Sequence, residues 1–371
     1  MGTHTSEPIR RSIEVEYWVV DDDGRLVEPG ERLLSASSGV EREFVEPLIE
    51  IKTTPCESTA ALRRELFERV GRVVRRADEC DRGLVPLATP VGSDEIRDRE
   101  SGRTRIQADV VGEDFEYVRH CAGTHIHVEQ QPGREIDQLN TFIALDPALA
   151  LVNSSPYFRG RRLAAGARSK LYRWMAYDGL PHQGRLWSYA EDTDEWDRRL
   201  QRRYAEFVER AVDAGVERDT VETCFDPESA VWTPVQLREE FSTVEWRSPD
   251  TALPGDVVRL ADRLAGAVER IRDADVVIGG ETGAIDDDTV RLPEFDVVTD
   301  HVDAAIRDGL EADEVRSYLE EMGFDVEAYE PMTHDVGGHR SVTREDVCDL
   351  RLEYADRLER AVRDARPPQG V

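Results

Sequence analysis

Lysine is nearly absent. Of 48 basic residues only Lys52 and Lys170 are lysines, and they face 78 Asp plus Glu, for a formal net charge of −30. Such a surface repels polyanions, so nucleic acid and anionic membranes are excluded as partners. Cysteine is scarce too: Cys56, Cys80, Cys121, Cys224 and Cys348 are an odd number and form no CxxC pair. This argues against a disulfide framework or a thiolate zinc site and fits reduced thiols in a cytoplasm. Long apolar runs are missing as well. The longest charge-free stretch, Pro147 to Phe158, is too short to span a bilayer, and residues 1–12 hold no apolar core of a secretory signal. The expectation is a soluble, cytoplasmic protein. No Gly-Lys-Ser/Thr loop, G-x-G pair, HExxH or GxSxG occurs, so a nucleotide would need another apparatus.

What is present is a chain of 371 residues, 39% apolar, with six Trp, ten Tyr and ten Phe. That mass supports a real core and speaks against acidic disorder. The length suits one catalytic domain over residues 1–371. An acidic, lysine-poor surface suits concentrated salt, where charges are screened within a few ångströms, and the composition reads as halophilic.

Residues 11–21 (RSIEVEYWVVD) alternate polar and apolar side chains before Asp22-Asp23-Gly24, which predicts a half-buried strand and a turn. Strands are also expected at 47–54, 84–88, 120–129 and 242–247. Helical spacing of Leu62, Leu66, Val70, Val73 and Val74 predicts a helix from Ser58, its N-cap, to about Arg82. Further helices are expected at 134–152, 194–215, 254–274, 299–322 and 342–366, the last leading into a tail ending at residue 371. Residues 275–340 have the weakest pattern. The order is mixed, with no βαβ rhythm, so the fold class is α+β: an antiparallel sheet cup whose polar strands face a site, with helices packed on the outer face.

Period-2 alternation puts Glu14 and Glu16 on one sheet face, opposite Ile13, Val15 and Tyr17. Glu50 and Lys52, His125 and His127, and Glu245 and Arg247 repeat the spacing on three other strands. One such pair is the ordinary solvated face of an antiparallel sheet. Four pairs rich in carboxylates point to a shared cation site, and hard oxygen ligands suit Mg²⁺ or Mn²⁺. The forked, permanently charged Arg247 matches a phosphoryl group or a carboxylate.

IEVEYW (13–18), the spacing from Glu43 to Glu50 in EFVEPLIEIKTTPC, LATP (87–90), GTHIHV (123–128), SSPYFRGR (154–161) and STVEWRSPD (242–250) resemble the type 2 glutamate-cysteine ligases. These are carboxylate-amine ligases related in fold to glutamine synthetase. The resemblance covers roughly residues 10–275. It implies ATP-dependent joining of glutamate and cysteine through a γ-glutamyl phosphate. It makes Glu14, Glu16, Glu43, Glu50, His125 and Glu245 metal ligands, gives Glu14, Glu16, Lys52 and Arg247 contacts to ATP, and gives Glu245 and Arg247 the catalytic roles. The stretch RLAAGARSKLYRW (162–174) departs from the family's aromatic and serine-rich continuation. It leaves Arg159, Arg161, Arg168, Lys170 and Arg173 as candidates for the glutamate α-carboxylate.

Two other chemistries share these residues: ligation of a different amine, and a nucleotide-independent metal hydrolase built on Glu14, Glu16, His125 and His127. A metal-binding scaffold is the non-enzymatic alternative, and a homo-oligomer is compatible with all of them. Cys121, the aromatic group Trp174, Trp187 and Tyr189, and Gly337-Gly338-His339-Arg340 are read as packing or turn residues.

Overall fold

The computed structural model describes residues 7–336 and 338–365, so Gly337 and the expected tail beyond residue 365 lie outside the described residues. The main sheet contains β1 (Arg11–Asp21), β2 (Val40–Arg42), β3 (Leu48–Lys52), β4 (Arg82–Val85) and β5 (Thr124–Glu129). A separate hairpin of β6 (Tyr157–Phe158) and β7 (Arg161–Arg162) precedes its last members, β8 (Val235–Arg238) and β9 (Thr243–Trp246). All pairings in it are antiparallel, in the order β2-β3-β1-β5-β9-β8, with β4 continuing along the β1 edge that β5 occupies. The chain is thus a mixed structure of helices and antiparallel sheet, as its pattern predicts.

Alternation along β1 is what gives the sheet two faces. Ile13, Val15 and Tyr17 are completely buried, whereas Glu14 and Glu16 lie on the opposite side. The apolar face is covered by the helices Thr59–Asp78, Pro254–Ile271 and Arg344–Asp364. The first starts where the sequence predicts, with Ser58 Oγ accepting from the Ala61 N–H. Leu62, Leu66, Val70 and Val73 form its buried stripe. The last is anchored by Arg351, which is 1% exposed, pairs with Asp94 and donates to the Pro90 and Gly24 carbonyls. A second apolar cluster, around Phe115, Phe207, Val221 and Phe225, packs the helices Gly102–Val111, Thr193–Asp213 and Arg218–Cys224 together.

Several expected boundaries are corrected. The strand expected from residue 120 begins at Thr124, because His120 caps the short helix Phe115–Arg119. The strand expected at 84–88 is Arg82–Val85. The helix expected over 134–152 stops at Ala144 and continues as a 3₁₀ segment, Asp146–Val152, since Pro147 can neither donate nor clear the preceding turn. The helix expected over 299–322 divides into Phe295–Arg307 and Asp313–Glu321, because Gly309 takes φ +63 between them. Within 275–340, β10 (Asp275–Ile278), β11 (Ala284–Ile285) and β12 (Thr289–Leu292) make a small sheet in which β10 and β12 are parallel. Among the described residues no helix is long and apolar enough to cross a membrane.

A net charge of −30 on this fold destabilises the compact state when unscreened. The melting temperature is expected to rise by roughly 5–10 °C between 0.1 and 2 M KCl, the range over which the Debye length falls from about 10 Å to a few ångströms. A calorimetric scan at each salt concentration checks this. A flat or falling melting temperature would show that the acidic surface is energetically neutral.

Candidate active site

The polar face of the main sheet is the floor of a cleft of about 350 Å³. Strand register decides which side chains meet there. Glu14 stands opposite both Lys52 and His125, Glu16 opposite Glu50, and His127 opposite Glu245. Directly opposed side chains lie close together in a sheet, and opposing two carboxylates, as at Glu16 and Glu50, is unfavourable unless something positive joins them. Glu43, in the loop after β2, brings another acid to the same place.

The donors fall into three overlapping groups, each with its ligand atoms within 4.8 Å of one another: Glu14, His127 and Glu245; Glu14, Glu50 and His125; Glu16, Glu43 and Glu50. Glu14 and Glu50 belong to two groups each. His125 Nδ1 lies 3.3 Å from Glu14 Oε2 and 3.5 Å from Glu245 Oε1. His127 is turned by a 3.0 Å hydrogen bond between Nδ1 and Thr243 Oγ1. Its other nitrogen, Nε2, is buried without a hydrogen-bond partner, 3.8 Å from Glu14 Oε2 and 3.7 Å from Glu245 Oε1. An orphaned imidazole nitrogen between two carboxylates at these separations fits a shared cation.

Electrostatics divide the acids. Burial pushes Glu43 up to about 8, helped by the charge of Glu16. Burial also lifts Glu50 well above the carboxylate range, together with the charges of Glu43 and Glu14, although Lys52 Nζ sits 2.9 Å away. For Glu14 burial works in the same direction, but the nearby imidazoles of His125 and His127 outweigh it and hold the carboxyl far below its ordinary range. Burial likewise opposes ionisation of Glu245, yet Arg247 and the two histidines keep it at about 2. Lys52 is shared by Glu50, Glu41 at 3.1 Å and Glu14 at 3.7 Å.

The opposite wall is cationic and aromatic. Arg247 follows β9 and lies 3.4 Å from Glu245. Arg103, Arg168, Tyr172 and Trp232 come from the helical side, with Tyr172 and Trp232 stacked at 5.7 Å. Of the five basic candidates from 159–173, only Arg168 and Arg173 reach the cleft. Arg159 pairs with Glu116, Arg161 is exposed on β7, and Lys170 donates to the Leu163 carbonyl. Arg173 is tied to Asp146 by bonds of 2.7 and 3.3 Å beneath the floor, where Trp246 Nε1 also donates to Asp146 at 2.8 Å. Cys121 lines the wall, but burial pushes its thiol up to about 12, so a nucleophilic role does not arise. Trp187 packs on Trp196 and the Tyr189 hydroxyl donates to Pro293, both away from the cleft. The turn at 338–340 is held by Tyr157, whose hydroxyl donates to the His339 carbonyl.

Sequence reasoning missed Arg103, Trp232, Arg238 and Phe241, all of which line the cleft. Arg238 carries a usable signal, since it ends a strand that pairs with the TVEW strand. The others depend on packing between distant segments. His127, which the family resemblance does not make a ligand, joins the donors with Glu14 and Glu245, and its spacing from His125 is the same two residues that joins Glu14 to Glu16.

Residues 13–359 match the model of glutamate-cysteine ligase family 2. Curated relatives carry the provisional name glutamate-cysteine ligase 2. The one from Jannaschia sp. is 28% identical over 296 residues, covering 73% of this chain and 71% of the relative. The one from Chloroflexus aggregans is 25% identical over 253 residues, covering 65% of this chain and 58% of the relative, so this chain spans less than two thirds of that protein. Among solved structures, a glutamate-cysteine ligase from Francisella tularensis in complex with AMP has a TM-score of 0.58 at 12% identity, covering 97% of this chain and 92% of that one. A bifunctional glutathione synthetase from Pasteurella multocida gives 0.56 at 15% identity, covering 95% and 53%. At these identities the two structures speak to the fold alone.

Proposed function

Because the chain belongs to glutamate-cysteine ligase family 2, we propose that it is an ATP- and Mg²⁺-dependent carboxylate-amine ligase joining glutamate to cysteine through a γ-glutamyl phosphate. The observation that carries this reading is the convergence of three donor groups from β1, β3, β5, β9 and the loop after β2, sharing Glu14 and Glu50, with Arg247 beside them. We take residues 1–371 as one catalytic unit, the polar sheet face as the bottom of a substrate cup, and the working environment as a salty cytoplasm. Mn²⁺ suits the same donor set.

In this reading Glu14, Glu16, Glu43, Glu50, His125, His127 and Glu245 hold divalent cations. When bound, those cations supply neutralisation of the triphosphate and the developing phosphoryl charge. With Thr243 Oγ1 accepting from His127 Nδ1, Nε2 presents its lone pair to the floor. Glu245 anchors Arg247, whose fork stabilises charge on the transferred phosphoryl group. Lys52 spreads positive charge among Glu14, Glu41 and Glu50 and keeps them from repelling one another. Tyr172 and Trp232 cover the wall and exclude water, which protects an acyl phosphate from hydrolysis. The γ-carboxylate attacks the γ-phosphorus with release of ADP, and the amine then attacks the acyl carbon and expels phosphate. Alignment of the two substrates supplies much of the acceleration.

The test is incubation in molar KCl with ATP, Mg²⁺, glutamate and a panel of amines, reading ADP and product mass, with and without chelator. ADP that requires both glutamate and cysteine, and stops with EDTA, supports the proposal. A product containing another amine revises the acceptor. Amide hydrolysis without ATP replaces the ligase reading with a hydrolase.

Arg247→Lys keeps the charge and loses the fork. Turnover is expected to fall by about 1.5–3 kcal/mol, or roughly 10- to 150-fold, with little change in nucleotide affinity. Unchanged kcat would make Arg247 a brace for Glu245.

A further inference from the structure

The last residue pair of the β8–β9 hairpin, Arg238 opposite Thr243, reaches the cation-binding floor from both sides of the turn. Thr243 orients His127 through Nδ1. Arg238 is fixed first to the segment Pro227–Ala230: Nη1 donates to the Glu228 carbonyl at 3.2 Å, and Nε lies 3.4 Å from the Glu228 carboxylate. The same Nε lies 3.6 Å from Glu245 Oε2 and, among the described residues, is buried with no hydrogen-bond partner. Phe241, in the turn itself, has its ring centre 5.7 Å from that guanidinium and 5.9 Å from the His127 ring, which it meets edge to face. It takes this place although it is 53% exposed.

The two oxygens of Glu245 are thereby given different surroundings. Oε1 faces the imidazoles, 3.5 Å from His125 Nδ1 and 3.7 Å from His127 Nε2, while Oε2 faces Arg238. Arg247 Nη1 stands 3.4 Å from each oxygen and so favours neither. Arg238 is what tells them apart. A brace for the turn would need only Glu228, which already gives Arg238 a counter-charge and a carbonyl. Reaching a second, buried carboxylate costs further desolvation, so that contact calls for a use of its own. A carboxylate that offers one oxygen suits a small octahedral ion, whereas a larger cation fills its shell with carboxylates that give both oxygens.

We infer that Arg238 is a positioning residue: by occupying Glu245 Oε2 it makes Glu245 a one-oxygen ligand and sets the His127 side of the floor to take Mg²⁺ or Mn²⁺ and refuse Ca²⁺. This role rests on the cation floor of the ligase reading and is independent of its substrates. Groups that orient a ligand from behind tune metal affinity by about 10- to 100-fold. Phe241 covers both Arg238 and the His127 ring, and a contact shielded from water is electrostatically stronger. The hairpin thus supports a histidine ligand with Thr243 and a carboxylate ligand with Arg238, under one aromatic cap.

Wild type, Arg238→Gln and Arg238→Lys are titrated with Mn²⁺ in concentrated KCl without nucleotide, and Ca²⁺ is then added as competitor. Bound Mn²⁺ is followed by electron paramagnetic resonance, in which imidazole nitrogen couplings mark the ions on the histidine side. In the wild type Ca²⁺ is expected to displace those ions only in large excess. In Arg238→Gln the ratio of the Ca²⁺ to the Mn²⁺ Kd is expected to fall by about 10-fold. The ratio decides, because loss of a positive charge alone would tighten both ions together. Arg238→Lys keeps the charge and loses the planar Nε contact, so it is expected to shift the ratio in the same direction. Should Arg238→Gln fail to fold, Phe241→Ala, at an exposed position, wets the same contact and is read in the same way. An unchanged ratio in variants that bind Mn²⁺ would make Arg238 a brace for the turn and overturn the inference. A wild type without imidazole-coupled Mn²⁺, or one that binds Ca²⁺ as tightly, would overturn it too. A shifted ratio in a protein that forms no ADP with glutamate and any amine upholds Arg238 and defeats the ligase reading alone.

Discussion

Glu50→Gln is expected to reduce ADP formation at least ~1000-fold while leaving the cation-free protein as stable as before, or more so. Glu50 belongs to two of the three donor groups and is 5% exposed, so its loss disturbs more of the floor than loss of Glu43 or Glu16. Glutamine keeps the shape and still accepts from Lys52, now 2.9 Å from the carboxylate. What vanishes is the charge that a divalent cation needs. Stability should move the other way. Burial and the charges of Glu43 and Glu14 raise the carboxyl in the folded chain, whereas the unfolded chain titrates in the ordinary range. Between those limits the folded state binds more protons, so the parent loses stability as pH rises, and the glutamine variant escapes that loss. With EDTA present, the variant's advantage in melting temperature should therefore be larger at pH 8 than at pH 5. Normal turnover would remove Glu50 from the site, and a large drop in stability at pH 8 would make its role structural.

Asp146→Asn is expected to cost about 3–5 kcal/mol of stability. Asp146 is completely buried and Arg173 is 5% exposed. Two arginine nitrogens, the Trp246 indole N–H and the Ser248 hydroxyl all turn donors toward its two oxygens. An amide would face one of those donors with its own N–H groups and leave Arg173 without a counter-charge. The network also holds Trp246 and Ser248, the neighbours of Arg247 on either side, so activity should fall with stability. Urea denaturation with an unchanged m value and a lower midpoint checks the prediction. Adding Arg173→Met should recover part of the loss, because removing both charges costs less than stranding one. A change below about 1 kcal/mol for Asp146→Asn alone would show that water reaches the pair.

Local periodicity made the floor readable. The alternation of Glu14 and Glu16 with Ile13 and Val15 defines two faces within six residues, and the HIH and TVEWR strands repeat it. Ser58 and the stripe from Leu62 to Val73 were equally local. The wall was not readable, because its residues are sorted by partners far away in the chain. Arg168 and Arg173 are the same residue type five positions apart. Both line the cleft, but only Arg173 is neutralised by Asp146, and nothing in RSKLYRW separates them. Arg103 sits on Gly102–Val111, a helix whose apolar residues form no clear stripe, which is why the pattern missed it. The division of the 299–322 helix turns on a single glycine whose backbone conformation only the packing around it dictates.

The central place of β1 affects how the molecule is made. Its partners arrive at residues 48–52, 82–85 and 124–129, on both of its edges. At a ribosomal pace of roughly 5–20 residues per second, the β5 edge stays open for on the order of 10 s after β1 has emerged. An extended apolar segment with open edges is a template for pairing with other nascent chains. The glutamates at positions 14 and 16 interrupt that template with charge at every second residue, as gatekeeper residues do. The acidic face of the finished cleft thus shields the first strand from its neighbours while the rest of the polypeptide is still being synthesised.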